Sequence, residues 1–305
     1  MGSSHNDVVD VIIVGGGPAG LSAALILGRA CRTVHLFDNG RPRNAPTREL
    51  HGFLTRDGVM PADLTARART DLQKYDTVQL ETAEVTDARQ RNGGFEVTLD
   101  DGRRLQSRKL ILATGVADNL PDVPGLRECY GRSVFHCPFC DGWELRGQTI
   151  AVYGSGRRGH GLALELLGWT ADIILCTGGS AGLADDERAE LGRNGICIRE
   201  EAVTGVEGRD GQIERVLFAS GEPVTCRALF FTLGQHQQTP LARALGTRFN
   251  EKGTVSTDKH ETTTVPGLCV VGDASEDLQW VIVAAAEGAK AAYAICQALF
   301  KEDRK

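Results

Sequence analysis

The fold is decided by Val11-Ile12-Ile13-Val14-Gly15-Gly16-Gly17-Pro18-Ala19-Gly20. An apolar strand, Val8 to Val14, runs into a glycine turn and then into a helix carrying Leu21, Ala24, Leu25 and Gly28 on one face. Thr33 to Phe37 follows as a second strand, which completes a strand–helix–strand unit. Gly15, Gly17 and Gly20 have the G-x-G-x-x-G spacing. The first glycine permits the tight turn, the second lets a pyrophosphate approach the backbone, and the third lets helix and strand pack closely. The helix N-terminus then faces the negative charge. Asp38 ends the second strand, where a carboxylate accepts hydrogen bonds from a ribose diol. Gly15, Gly17, Pro18, Ala19, Gly20 and Asp38 are therefore the expected dinucleotide contacts.

Outward from this unit, Gly40 to Asp57 is irregular and rich in Arg, Pro and His. A polar helix is expected over about Pro61 to Tyr75. Short strands follow around Val78 to Thr86 and Phe95 to Leu99, joined through Asn92-Gly93-Gly94, and an apolar strand, Leu110 to Ala113, ends in Thr114-Gly115. The pattern then restarts: strand Thr149 to Tyr153, glycine turn Gly154 to Gly159, helix Gly161 to Leu167, strand Asp172 to Cys176. Further strands are expected around Val203 to Glu207, Ile213 to Phe218 and Ala228 to Leu233. Near the end, a strand from Gly267 to Val271 meets Gly272-Asp273, and an alanine-rich helix is expected from about Leu278 to Leu299.

The chain of 305 residues is long enough for two domains. With 41% hydrophobic and 24% charged residues it reads as globular. A net charge of −6 argues against a broad nucleic-acid surface. The apolar stretches read as too short to span a bilayer, so no membrane partner is expected. The N-terminus lacks the basic segment of a secretory signal, and Met1 to His5 read as a vector remnant. Nine cysteines, mostly scattered singly, do not form a secreted disulfide framework, and a reducing cytoplasm is the better reading.

One cysteine pair is close enough in sequence to suggest chemistry: His136-Cys137-Pro138-Phe139-Cys140-Asp141-Gly142. A CxxC at a helix start can cycle between dithiol and disulfide, with a thiolate as the nucleophile. Asp141 is placed to move a proton to or from the departing thiol. Half of a zinc site and a structural disulfide are the rival readings. Zinc would want a second pair of ligands at a defined spacing, and no second pair exists, so no metal is expected.

Gly15-x-Gly17-x-x-Gly20, Ala113-Thr114-Gly115, Cys137-x-x-Cys140-Asp141-Gly142 and Gly272-Asp273, in that order, resemble the low-molecular-weight thioredoxin reductases, over nearly the whole chain. The resemblance implies an α/β protein of two Rossmann-like, three-layer ββα domains. An FAD domain would comprise residues 1–117 and 237–305, and an inserted NAD(P)-type domain, 118–236, would carry the CxxC. It also implies a homodimer. By similarity, Asp273 beside Gly272 would hydrogen-bond the FAD ribitol and Ala113, Thr114 and Gly115 would line the FAD pocket. Cys140 would be the thiol nearest the flavin, Cys137 would exchange with the substrate, and Asp141 would be the acid–base group.

Three places depart from the family pattern. The second glycine loop, Gly154-Ser155-Gly156-Arg157-Arg158-Gly159, has the nucleotide spacing, but its next strand ends Leu175-Cys176-Thr177, with neither an acid for a ribose diol nor a His-Arg-Arg cluster for a 2′-phosphate. NADPH is thus an uncertain cofactor, and Arg157 and Arg158 read equally as phosphate ligands or a solvated turn. Trp280 stands where the family has Gln, either over the flavin or in the core. His51 lies where the family has a flavin-proximal Asn-Trp-Pro-Gly, either near the flavin or bonded to a loop. The expected function is an FAD-dependent, thioredoxin reductase-like oxidoreductase passing electrons from FAD through Cys137 and Cys140 to a thioredoxin-type disulfide. The alternatives are a dithiol oxidase of gliotoxin type, using oxygen and a small dithiol, and a reductase fed by ferredoxin or another non-nicotinamide donor.

Overall fold

The computed structural model describes residues 8–275 and 278–304, so Met1 to His5 lie outside the described residues. The chain forms two compact units, Met1–Arg43 with Gly52–Ala117 and His236–Lys305, and Asn44–His51 with Asp118–Gln235. The segment Asn44–His51, assigned from sequence to the first domain, thus groups with the second unit.

In the first unit, β1 (Val9–Val14), α1 (Pro18–Arg29) and β2 (Val34–Asp38) form the expected strand–helix–strand. α2 (Pro61–Leu72), β3 (Val78–Thr82), β4 (Val85–Arg91), β5 (Gly94–Leu99) and β6 (Arg104–Leu112) follow. The sheet order is β3-β2-β1-β6-β5-β4. β3, β2, β1 and β6 run parallel, with Val11 beside Val34 and Val14 beside Leu112, while β5 and β4 turn back antiparallel. Residues of β1 alternate between two cores. Val11 and Ile13 join Leu36, Ala24 and Leu27 on one face, and Ile12 and Val14 join Phe37, Leu110 and Leu112 on the other. A strand buried on both faces reads as a continuous apolar run, as this one does.

In the second unit, β7 (Val134–Phe135), α3 (Pro138–Asp141), β8 (Ile150–Tyr153), α4 (Gly156–Glu165), β9 (Ile173–Cys176), α5 (Asp185–Arg193) and β10 (Cys197–Arg199) precede an antiparallel three-stranded sheet. That sheet is β11 (Val203–Arg209), β12 (Gln212–Phe218) and β13 (Val224–Thr225). β14 (Ala228–Phe231) then returns to the parallel sheet, whose order is β10-β9-β8-β14-β7. Here too the central strand serves two cores, Ile150 and Val152 on one face and Ala151 on the other. α4 begins at Gly156 rather than Gly161, because the glycine loop itself makes the first helical turn.

The chain ends in the first unit with β15 (Leu268–Val270), parallel to β6, and α6 (Val281–Glu302). α6 corrects one sequence expectation. Its 22 residues hold an 18-residue window of mean hydropathy 1.2, long and apolar enough to cross a membrane. Its inner face, however, fills the core against α1: Ala284, Ala291, Ala292, Ile295 and Leu299 pack with Ala23, Ala24 and Leu27. The approach is closest at Gly288, where an added Cβ would lie 1.9 Å from the Ala19 carbonyl oxygen.

Gly288→Val is therefore expected to destabilise the first unit by about 3 kcal/mol, because backbone rather than a flexible side chain blocks the new atoms. A fall in the denaturant midpoint checks this, and an unchanged midpoint would contradict it.

Candidate active site

The first glycine loop is built to hold a phosphate. Gly15 has φ of +108° and donates its N–H to the Phe37 carbonyl at 2.8 Å. A side chain on Gly15 would meet the Ala113 oxygen at 2.2 Å, and one on Gly20 the Gly15 oxygen at 1.9 Å. Gly17, at the N-cap of α1, has open space where its side chain would be, with Pro18 and Ala19 starting the helix. The loop therefore offers an unobstructed backbone surface at the positive end of a helix, which suits a pyrophosphate.

Asp38 sits directly behind the loop, its Cγ 2.6 Å from where a Gly16 side chain would begin. It accepts hydrogen bonds from the Gly40 N–H at 3.3 Å and from Arg69 on α2. Ala113 bonds the loop strand through its N–H to the Val14 carbonyl at 2.8 Å, and Thr114 leads to Gly115, with φ of +65°. After β15, Gly272 donates its N–H to the buried Glu287 carboxylate at 2.6 Å. Asp273 accepts from Arg43 Nη1 at 2.8 Å, and the same nitrogen reaches Gln279 Oε1 at 2.6 Å. Trp280 is half-buried and forms the N-cap of α6. These residues fit an FAD: a phosphate cradle, a carboxylate at the ribose position and an Asp273–Arg43 pair in the same unit. Sequence reasoning missed Arg69, Arg43 and Glu287, which lie 31, 230 and 15 residues from their partners.

In the second unit, Cys137 and Cys140 form a disulfide with Cα atoms 5.3 Å apart. Cys137 is the extended N-cap of α3, and its carbonyl accepts from the Cys140 N–H at 3.2 Å. Pro138 takes the first helical position, where its missing N–H costs nothing. Gly142 lets the chain pass Trp169, whose ring atoms come within 2.9 Å of a Cβ added there. Phe139 stands edge-on to Trp169 with centroids 5.3 Å apart, and Phe139 and Trp143 are more than 60% exposed. Among the described residues, no group of three His, Cys, Asp or Glu side chains is arranged to hold a metal.

Asp141 follows Cys140 and is half-buried. Burial pushes its carboxyl up to about 7, Glu144 adds to the rise, and the charge of His51 opposes it. The carboxyl therefore holds or yields a proton near neutral pH, as a general acid–base requires. His51 comes from the distant segment 44–51, its Nε2 at 3.8 Å from Glu144 Oε1 and 3.8 Å from Glu49 Oε2. Just upstream of the disulfide, the Asp118 carboxylate accepts from the Tyr130 hydroxyl and lies 3.8 Å from His136 Nδ1. Among the free thiols, burial pushes Cys176, Cys226 and Cys269 up to about 12.

The second glycine loop is packed differently from the first. Gly154 and Gly159 approach each other closely, as the spacing demands. The Gly156 N–H, however, is donated to the Ala181 carbonyl at 2.7 Å, because the chain after β9 turns back over the start of α4. Thr177, at the position where an acid would hold a ribose, turns its hydroxyl to the carbonyls of Gly179 and Arg199. Arg157 is almost fully exposed, 4.0 Å from Glu187.

Residues 9–288 match the pyridine nucleotide-disulphide oxidoreductase family. The chain is 34% identical to a probable thioredoxin reductase of Arthroderma benhamiae, over 91% of this chain and 76% of that protein. It is 33% identical to the thioredoxin reductase tcpT of Claviceps purpurea, over 88% of each. The crystal structure of HlmI superposes with a TM-score of 0.93 at 35% identity, covering 99% of this chain and 96% of that one. A putative thioredoxin reductase, TrxB, from Bacillus anthracis superposes with a TM-score of 0.92 at 30% identity, covering 97% and 99%.

The raised Asp141 carboxyl has a consequence for stability. A group that binds its proton more tightly when folded stabilises the fold below its unfolded value and loses that contribution as pH rises through its folded value. Asp141 thus weakens the fold between about pH 4 and about pH 7. Asp141→Asn is expected to match the parent's unfolding midpoint below pH 4 and to exceed it above pH 7. Parallel midpoint curves from pH 4 to pH 8 would contradict the raised value.

Proposed function

The chain belongs to the pyridine nucleotide-disulphide oxidoreductase family, an FAD-dependent disulfide oxidoreductase, and on that premise we propose that it reduces a thioredoxin-type disulfide through Cys137 and Cys140. The observation that carries the reading is the Cys137–Cys140 disulfide followed by a half-buried acid held near 7. When bound, FAD supplies the two-electron couple that reduces this disulfide. Gly15, Gly17, Pro18, Ala19 and Gly20 would hold its pyrophosphate, Asp38 its ribose and Asp273 its ribitol.

The chain's own chemistry is thiol–disulfide exchange. The Cys137 thiolate attacks one sulfur of the partner's disulfide, that bond breaks, and the departing sulfur takes the Asp141 proton. Cys140 then attacks Cys137 in the mixed disulfide. This releases the partner's second thiol and restores the Cys137–Cys140 bond, so that one disulfide is reduced and one formed. Exposed Phe139 and Trp143 give the partner an apolar surface beside the reacting sulfurs. The working form is a homodimer in a reducing cytoplasm, a reading supported by the family resemblance and by Cys31 and Cys197, which are exposed and free.

One observation favours a second reading. With the Gly156 N–H already bonded to Ala181, the second glycine loop does not present the amide that a nicotinamide dinucleotide would use. Electrons would then enter from a small dithiol, to be passed to oxygen, or from a ferredoxin-type donor. Anaerobic addition of NADPH, then NADH, to the yellow protein separates the two. The closed loop predicts slow bleaching by either nucleotide and rapid bleaching by dithiothreitol. Rapid bleaching by NADPH would instead establish a nicotinamide-fed reductase.

The assignment of the two thiols has its own test. Cys137→Ser leaves the Cys140 thiolate, and a long-wavelength charge-transfer absorption is expected across neutral pH. Cys140→Ser is expected to lack it. The reverse pattern would exchange the two roles.

A further inference from the structure

The place of Asp273 in the fold sets a charge problem. The turn that carries it packs on the first turn of α1, where a Cβ added at Gly272 would lie 3.1 Å from the Ala19 Cβ. The phosphate cradle of Gly15 to Gly20 opens at that same helix end. A diphosphate is dianionic, and a helix end offers only roughly half a positive charge. Asp273 adds a carboxylate that is 20% exposed, and the buried Glu287 adds another behind Gly272. Like charges gathered in a partly dry site repel far more than they would in water. Arg43 meets this excess. Its side chain is 13% exposed and donates from Nη1 to Asp273 Oδ2 at 2.8 Å and to Gln279 Oε1 at 2.6 Å. Two acceptors thus fix the guanidinium at the point where the chain leaves the first unit. Asp38, behind the cradle, is matched in the same way by Arg69 on α2.

We infer that Arg43 is a cofactor-positioning residue: its guanidinium is the counter-charge that lets one site hold both Asp273 and an FAD diphosphate. The inference goes beyond the exchange chemistry given above. It concerns the cofactor site alone and is the same whichever disulfide or electron donor the dithiol serves. Without Arg43 the Asp273 carboxylate would lose this cation while staying largely covered, and a carboxylate in that state is costly beside a second anion. The planar guanidinium suits the task because its geometry bonds two acceptors at once, which an ammonium does less rigidly. Arg43 makes and breaks no bond in this role. Its contribution is to how firmly FAD is held.

The test is FAD retention by the holoprotein, read from flavin absorption after equilibrium dialysis at low salt and at about 1 M sodium chloride. Arg43→Gln should bind FAD about tenfold more weakly than the parent at low salt. The deficit should shrink at about 1 M salt, where the screening length falls to about 3 Å. Arg43→Lys, which keeps the cation, should recover most of the affinity. Adding Asp273→Asn to Arg43→Gln should recover it too, because the amide still accepts a hydrogen bond but brings no charge. Unchanged affinity in Arg43→Gln would overturn the proposal. So would an equal deficit at both salt concentrations, or no recovery in the double variant, since either means that Arg43 only packs the turn. Should Arg43→Gln not fold, Asp273→Asn alone decides. With Arg43 then unopposed by that carboxylate, FAD should loosen more steeply with salt than in the parent, and an equal slope would overturn the proposal. None of these measurements reads a disulfide, so a failed thioredoxin-type activity with normal FAD retention would count against that activity and not against Arg43.

Discussion

The first unit depends on two places where backbone touches backbone. Gly20 lets α1 lean on the Gly15 carbonyl, and Gly288 lets α6 lean on the Ala19 carbonyl; at each, an added Cβ would stand 1.9 Å from oxygen. α1 is thus held on one side by its own turn and on the other by the last helix of the chain. Close-packed interiors transmit such constraints because they cannot compress. The loop that holds the phosphate surface, the strand end that carries Asp38 and the turn that carries Asp273 all hang from this joint. Glu287, next to Gly288, ties the turn to the helix by accepting the Gly272 N–H.

The same sequence device appears twice in two different states. Both loops follow a strand with parallel neighbours on each side, and both bring their first and third glycines into contact. At the first, the middle glycine faces open space; at the second, its N–H is bonded to a carbonyl of the following loop. Spacing alone reports the turn and the helix packing, which are local demands. Whether a phosphate surface stays available depends on a segment some 25 residues further on, in this case Thr177 to Ala181.

That difference also explains how far the sequence could be read. The strands on either side of each glycine loop were legible because their apolar runs and turn residues act locally. The disulfide pair and Asp141 were legible because all three lie within five residues. What escaped was every partner brought in by topology. Arg69 reaches Asp38 from α2, and Arg43 reaches Asp273 across most of the chain. His51 was read as a flavin neighbour or a loop residue; what the sequence did not show is that its Nε2 lies 3.8 Å from Glu144, on the stretch after the disulfide, as Asn44–His51 groups with the second unit. α6 was legible as an alanine-rich helix, but its apolar stretches were read as too short to span a bilayer, and it carries Glu287 and Lys290. Both charges have partners in the core region, Gly272 and Glu261, so the helix runs through them.

Among the nine cysteines, burial sets the core thiols apart from the Cys137–Cys140 pair. A thiol must ionise to attack, and an apolar surrounding withholds ionisation. Cys176, Cys226 and Cys269 pack inside their sheets and are held near 12, so they stay protonated where the enzyme works. Cys137 caps and Cys140 sits on a one-turn helix, both partly exposed, with exposed Phe139 and Trp143 nearby in sequence. The same burial that silences the core thiols is applied in a smaller dose to Asp141, where it produces an acid that titrates near neutrality. One physical effect, graded by position, thus keeps the core thiols protonated and gives Asp141 a proton to offer the reacting pair.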